Sequence, residues 1–380
     1  MRMEFKNPLH VGTPNIGDRS IFYKYTDQMF DNRWLTNHGE LVLQFEEELQ
    51  HLLGVKHCIA MCNGTSALEI AIRALGLTGE VIIPSLTFVA TAHALQWHGV
   101  TPVFCDVDPE TLCMDPAEVE RHITLRTSGI LGVHVFGHAC DTTSLQKLAD
   151  AHGLKLLFDA AHAFGNMHNG KRVGSFGECE VFSFHATKFF NSFEGGAIAT
   201  NNGELAEKVR LMQNFGFTDW DTVMHLGTNG KMTEICAAMG LTNLQQLNHF
   251  REINGRNYKA YAEGLRDIQG LSLIRCEEGE DTPGRQMSNR QYVVVEVSEE
   301  FSLSRDDLLQ RLHDENVLAR RYFWPGCHRM EPYVSQQPDA GKMLLVTESK
   351  LERILLLPTG SAIDPGMIQR VLCLIKGWVG

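Results

Sequence analysis

No apolar run in the sequence approaches the length needed to span a bilayer. The stretch from Met1 to Lys6 leads into no apolar segment, so no secretory leader is expected. There is no internal repeat and no low-complexity tract. Positive charge is the scarcer sign: 34 Lys and Arg stand against 46 Asp and Glu, a formal net charge of −12. That balance argues against nucleic acid, whose phosphates would be repelled. It does not exclude a small anionic ligand, whose binding depends on local donors. The ten cysteines have no paired framework and mostly adjoin apolar residues. Reduced core cysteines in a cytoplasmic protein are therefore expected. Cys58 and Cys62 have no matching downstream pair, so no metal site is expected.

The chain does have ample apolar material. With 380 residues and 43% hydrophobic content it can bury a large core and divide into more than one lobe. A helix fits Glu40 to Leu53, where Leu41, Leu43, Phe45, Leu49 and Leu52 recur among acidic residues and glutamines. From residue 57 strands and helices alternate. Strands are predicted over 57–61, 80–84, 101–107, 129–137, 154–158, 179–184 and 196–200, with helices over 67–75, 91–98, 141–152 and 203–215. Nearly continuous apolar strands between helices predict an α/β fold with a mostly parallel sheet covered on both faces. Met232 to about Leu265 reads as one long amphipathic helix, bent near His249–Asn254 and capped by Thr228-Asn229-Gly230. Beyond Gly270 an acidic loop over 276–284, a strand at 292–297, a helix at 305–316 opened by Ser304, and a closing helix at 364–379 predict a smaller α+β domain. The domains are placed at 1–245 and 246–380.

Three stretches carry chemistry. The segment Val181 to Thr200, VFSFHATKFFNSFEGGAIAT, begins as a strand, breaks at Lys188 among phenylalanines 184, 189, 190 and 193, and returns as a strand after Gly195-Gly196. A lysine in such company is either a snorkelling surface residue or an amine in a drier site, with a lowered pKa and a neutral form able to attack a carbonyl. Upstream, the apolar strand before Asp159 ends in a carboxylate that is costly to bury unless a cation meets it. Third, Cys62-Asn63-Gly64-Thr65-Ser66 opens a helix. Its amides, hydroxyls and positive dipole end suit a phosphate, although an ordinary helix cap fits this stretch alone. Together, in this order, Asp159 and Lys188 are the pair a pyridoxal phosphate enzyme requires. The lysine binds the aldehyde, and the aspartate keeps the pyridine nitrogen protonated.

The chain resembles the DegT/DnrJ/EryC1/StrS family of sugar aminotransferases. The resemblance rests on NGTSAL (63–68), PSLTFVATAHAL (84–95), DAAHAFG (159–165), SFHATK (183–188), EGGA (194–197), TNGKMTEICAAMGL (228–241) and RRYFWPGCHRMEPY (320–333), which follow the family order across nearly the whole chain. It implies a fold-type I pyridoxal phosphate transferase with Lys188 and Asp159 as catalytic residues. It further implies that Gly64, Thr65, Ser66 and Ser183 hold the phosphate, Phe88 stacks on the ring, and His162 faces its phenolic oxygen. In relatives the asparagine matching Asn229 reaches the phosphate in the neighbouring subunit, which implies a homodimer with shared active sites. Asn37, His38, His185, Arg320 and Tyr322 are candidate substrate contacts.

The implied reaction passes an amine from an amino-acid donor, expected to be glutamate, through the pyridoxamine form of the cofactor to a nucleotide-linked keto sugar. A lysine rather than a histidine at 188 argues for transamination over dehydration. SFHATK with EGGA and NGKMTE resembles the branch acting at carbon 4 of a 4-keto-6-deoxyhexose, commonly on dTDP. A carbon-3 or aminocyclitol aminotransferase is the alternative. A non-catalytic cofactor-binding regulator is remote, since no basic helix-turn-helix segment is present.

Overall fold

The computed structural model describes residues 3–274 and 287–378; the predicted acidic loop over 276–284 lies outside the described residues. Seven strands build the main sheet: β1 (His57–Met61), β2 (Glu80–Pro84), β3 (Thr101–Cys105), β4 (Thr127–Val133), β5 (Lys155–Asp159), β6 (Cys179–Ser183) and β7 (Gly196–Thr200). Their order across the sheet is β1-β7-β6-β5-β4-β2-β3. The pairs β2–β3, β2–β4, β4–β5 and β5–β6 are parallel, whereas β7 runs antiparallel to both β1 and β6. Apart from its first residue, each of β1, β2, β5 and β7 is almost wholly buried, as expected of a sheet covered on both faces.

Helices α1 (Arg19–Asn32), α2 (Glu40–Leu53), α3 (Gly64–Ala74), α4 (Ala90–Trp97), α5 (Thr142–His152) and α6 (Gly203–Met212) alternate with or flank these strands. Side-chain caps start several of them: Asn63 accepts from the Ser66 amide, Asp141 from Ser144 and Asn202 from Leu205. Two apolar cores result. One gathers Leu68, Ile82 and Leu131, the other Phe45, Phe164, Phe184 and Phe190.

The expected long helix after residue 232 divides into α7 (Glu234–Leu244) and α8 (Leu247–Leu265), with Gln245–Gln246 between them. The break lies a little before the expected bend. Only α8 has a polar side; α7 buries residues all round, from Glu234 to Asn243, so its sequence carries no one-sided periodicity. Nor do Thr228-Asn229-Gly230 cap it. The Gly230 carbonyl accepts the Cys62 amide at 2.8 Å, Asn229 and Lys231 bridge to Asn214 and Met61, and Thr233 stands at the N-cap. That segment is extended because its backbone groups are used beside the end of β1.

Beyond α8 a three-stranded antiparallel sheet, β8 (Leu271–Leu273), β9 (Val293–Val297) and β10 (Ile354–Leu357), carries helices α9 (Arg305–Asp314), α10 (Leu345–Arg353) and α11 (Pro365–Gly377). Ser304 and Asp364 cap α9 and α11. One face of β9 and β10 joins the core of the main sheet through Val294, Ile354 and Leu356. The other face packs with Tyr261 and Leu372, and with Phe5 and Leu9 from the start of the chain.

Two buried polar contacts tie this region to the ends of β2 and β3. Ser85 Oγ lies 2.6 Å from His328 Nδ1, and the Asp106 carboxylate accepts the Val346 and Thr347 amides, each at 2.8 Å.

Candidate active site

Parallel strands place their carboxyl ends along one edge, where ligands of such sheets collect. Here β4 ends at Val133, β5 at Asp159 and β6 at Ser183, while β1 and β2 lead there into Asn63-Gly64 and Thr87-Phe88. Antiparallel β7 starts at this edge and so brings Glu194 to it. These ends line a cavity of about 370 Å³, with Arg320, Tyr322 and Phe323 entering from the C-terminal region.

Lys188 and Asp159 both line the cavity. Burial lowers the Lys188 amine to about 8, against the opposing pull of Asp159. Burial likewise pushes the Asp159 carboxyl above the usual carboxylate range, opposed by hydrogen bonds from the Ala161 amide and Thr91 and by the Lys188 amine. The backbone beside Lys188 is pinned from distant segments. The Phe189 amide donates to Gln291 Oε1 at 3.0 Å, and Asn15 Nδ2 donates to the Phe189 carbonyl at 2.9 Å. The phenylalanines around Lys188 in sequence do not line the cavity. Phe184, Phe189 and Phe190 belong to the core behind it, and Phe193 is exposed against Phe22.

At the start of α3 two glycines permit a close approach of backbone segments. A Cβ on Gly64 would stand 2.9 Å from the Ser183 Cβ, and one on Gly196 would stand 2.7 Å from the Asn63 carbonyl carbon. With no side chains there, the start of α3 sits against β6 and β7. Asn63 Oδ1 takes the Ser66 amide at 2.7 Å, whereas the amides of Gly64 and Thr65 find no intrachain acceptor among the described residues. Those two donors, the helix dipole and the Ser183 hydroxyl form an anion cradle. Gly64, Thr65 and Ser183 line the cavity; Ser66 does not, its amide serving the cap.

His162 is buried, and burial, with the Lys188 charge added, holds its imidazole well below its ordinary pKa. The ring is therefore neutral. Its Nδ1 accepts the Phe136 amide at 3.2 Å, which puts the proton on Nε2 and makes that nitrogen a donor. Phe136 and Phe323 lie nearly parallel to it, and Tyr292 meets it edge-on. Phe88 lines the cavity while 57% exposed, a ring at the mouth free to cover a flat ligand.

His185 also lines the cavity; its Nδ1 lies 2.9 Å from Thr187 Oγ1 and its Nε2 3.6 Å from Glu194. Arg320 sits over the Tyr322 ring, 5.1 Å from its centroid. Asn37, His38 and Asn229 are not among the residues lining this cavity. His38 instead bonds Gln213 at 2.9 Å, and Asn37 and His38 both adopt positive φ. Sequence reasoning missed Thr87, Tyr292 and Phe323 as cavity residues. Phe323 sits within the quoted RRYFWPG stretch; Tyr292 opens a predicted strand and carried no other signal.

The arrangement suits pyridoxal phosphate. It joins a lysine with a lowered pKa, a buried carboxylate, a neutral imidazole donor and an anion cradle around one cavity. When bound, that cofactor supplies an electron sink for proton removal and amine transfer at an attached carbon.

Comparison with known proteins agrees with this chemistry. Residues 18–376 match the model of the DegT/DnrJ/EryC1/StrS aminotransferase family. The chain is similar to the dTDP-4-amino-4,6-dideoxy-D-glucose transaminase of Shigella dysenteriae, at 36% identity over 98% of this chain and 99% of that one. It is similar to the enzyme of the same name from Escherichia coli, at 33% identity over 97% and 98%. Among solved structures it is similar to DesI, crystallised in the presence of its TDP-sugar product: TM-score 0.91 and 46% identity, covering 99% of this chain and 94% of that one.

Proposed function

The chain belongs to the DegT/DnrJ/EryC1/StrS aminotransferase family, and from that premise we propose that it transfers an amino group from glutamate to carbon 4 of a dTDP-linked 4-keto-6-deoxyhexose, with pyridoxal phosphate as cofactor. The observation that carries the reading is the meeting of Lys188 and Asp159 in one cavity with the cradle at Gly64, Thr65 and Ser183. In this reading Gly64, Thr65 and Ser183 bind the phosphate, with the Asn63–Ser66 cap fixing the turn. Asp159 holds the proton on the ring nitrogen. His162 donates from Nε2 to the phenolic oxygen, and Phe88 covers the ring face. Lys188 holds the cofactor and then moves the proton between the cofactor's reactive carbon and the substrate carbon. His185, Arg320 and Tyr322, cavity-lining residues that also reach solvent, receive substrate. The test is incubation with glutamate and a panel of nucleotide-linked 3-keto and 4-keto-6-deoxy sugars, with products read by mass and NMR. A 3-amino product, or none from the 4-keto substrate, contradicts the assignment.

The lowered amine gives a pH expectation. Only the neutral amine attacks an aldehyde, so capture of pyridoxal phosphate by cofactor-free protein should accelerate as pH rises through about 8 and level off above it. A lysine in ordinary solvation would keep accelerating to about 10.4. Stopped-flow absorbance distinguishes the two curves.

The same reading makes the protein a cytoplasmic homodimer, with domains at 1–245 and 246–380. Asn229, exposed and outside its own cavity, then serves the phosphate of the opposite subunit. Support comes from the hairpin before it, closed by the Phe217–Val223 bridge, where Trp220 is 94% exposed and Phe215, Met224 and Leu226 also face solvent. Apolar side chains projecting on one hairpin mark a surface to be covered. Asn229→Ala should weaken cofactor binding by about 1.5–3 kcal/mol, the cost of a charge-assisted hydrogen bond. Mixing Asn229→Ala with Lys188→Ala protein and allowing exchange should restore one working site per mixed dimer. Confirmed exchange without recovered activity would sink the shared site.

A further inference from the structure

The Asp159 carboxylate takes two donors from the chain. The Ala161 amide reaches Oδ1 at 3.1 Å, and Thr91 Oγ1 reaches Oδ2 at 2.9 Å. Thr91 is wholly buried in the first turn of α4, and its hydroxyl lies 2.9 Å from that of Thr87, which lines the cavity. A helical threonine commonly returns its hydroxyl to the carbonyl four residues back. Here that carbonyl, of Thr87, accepts Cys327 Sγ at 3.4 Å, and the Thr91 hydroxyl crosses to the end of β5 instead. The loop bearing Thr87 is held further by the Cys327 amide, which donates to the Ser85 carbonyl at 3.1 Å.

Proton counting gives this chain a direction. An ionised carboxylate only accepts, so Thr91 must spend its one proton on Asp159, and Thr87 must then donate to Thr91. With Asp159 ionised, both hydroxyl protons and the Ala161 amide are used. A proton on Oδ2 given to Thr91 would turn the chain round and leave the Thr87 proton with no acceptor among the described residues.

We propose that Thr91 is a positioning residue that keeps the Asp159 carboxylate ionised and aimed into the cavity, with Thr87 as its support. The inference rests on the reading of Asp159 as partner of the cofactor's ring nitrogen. The charged and titratable groups facing Asp159 are Lys188 and His134. His134 is committed elsewhere, its Nε2 2.9 Å from the buried Glu180 and its Nδ1 accepting the Cys140 amide. Lys188 changes its charge and bonding during the reaction proposed above. The hydroxyl and the amide are the supports that stay constant through turnover.

The experiment compares Thr91→Val, which keeps the side chain's shape, with Thr91→Ser, which keeps the hydroxyl, and uses Asp159→Asn as reference. Pyridoxal phosphate affinity is measured by absorbance titration between pH 6 and pH 9, alongside melting of the cofactor-free proteins. Thr91→Val should bind the cofactor about ten- to a hundred-fold more weakly, the weight of one hydrogen bond to a charge. Its deficit should be largest at low pH and shrink as pH rises, because losing a donor raises the carboxyl pKa and leaves more of it neutral in acid. Thr91→Ser should recover most of the affinity.

If Thr91→Val binds like wild type while Asp159→Asn is weakened, the inference is overturned and the role of Asp159 stands. If neither is weakened, both fall. Equal, pH-independent losses in Thr91→Val and Thr91→Ser would show a packing effect and overturn the inference. Should Thr91→Val not fold, Thr91→Ala against Thr91→Ser decides by the same comparison.

Discussion

Replacing Lys188 with alanine is expected to abolish turnover, with a loss of about four orders of magnitude, at the upper end of what a proton-transferring group contributes. The substitution removes both the attachment point of the cofactor and the base at the reacting carbon. Lys188→Arg separates chemistry from charge. Arginine restores a cation beside Asp159 but is never neutral at working pH, so it can neither attack the aldehyde nor take a proton. If the amine served only to balance Asp159, arginine would rescue, and this role for Lys188 would fail. Borohydride treatment of the loaded wild-type protein should fix the cofactor on one peptide, the one containing Lys188. A label mapped to another lysine would show the assignment to be wrong.

Asp159→Asn should slow turnover by about 10²- to 10⁴-fold, a range comparable with the loss of an acid–base group. Asparagine keeps the size of the side chain and an oxygen for the Ala161 amide, but it carries no charge to hold a proton on the ring nitrogen. Stability should move the other way. Burial raises the Asp159 carboxyl pKa in the cofactor-free protein, so the ionised side chain costs stability above its unfolded-state value. That cost is complete once pH exceeds the raised folded value. At neutral pH the cofactor-free Asp159→Asn protein should therefore melt at or above the wild-type temperature, while its turnover collapses. A melting temperature well below wild type would mean that the carboxylate is a structural group, and near-normal turnover would remove it from the chemistry.

Short-range signals in the sequence determined much of this protein. Alternating apolar strands and helices set nearly every element of the main sheet within a few residues, and Ser304 marked the start of α9 in the smaller region. Asp159 was legible at the end of its strand and Lys188 just beyond its own, because in a parallel sheet the carboxyl end of a strand is also its ligand end. That pair pointed to the cofactor, and the family likeness to the class of substrate.

Other features depended on which strand lies beside which. The order β1-β7-β6-β5-β4-β2-β3 is not the order of the chain, so the neighbours of a strand end cannot be read along it. Only the fold sends Phe184, Phe189 and Phe190 into the core behind Lys188. Only the fold gives His162 its tautomer, through an amide 26 residues away, and brings Thr91 across 68 residues to Asp159. The division between α7 and α8 was hidden for a related reason. A helix covered on every side carries no periodic stripe, and what covers it is decided in three dimensions.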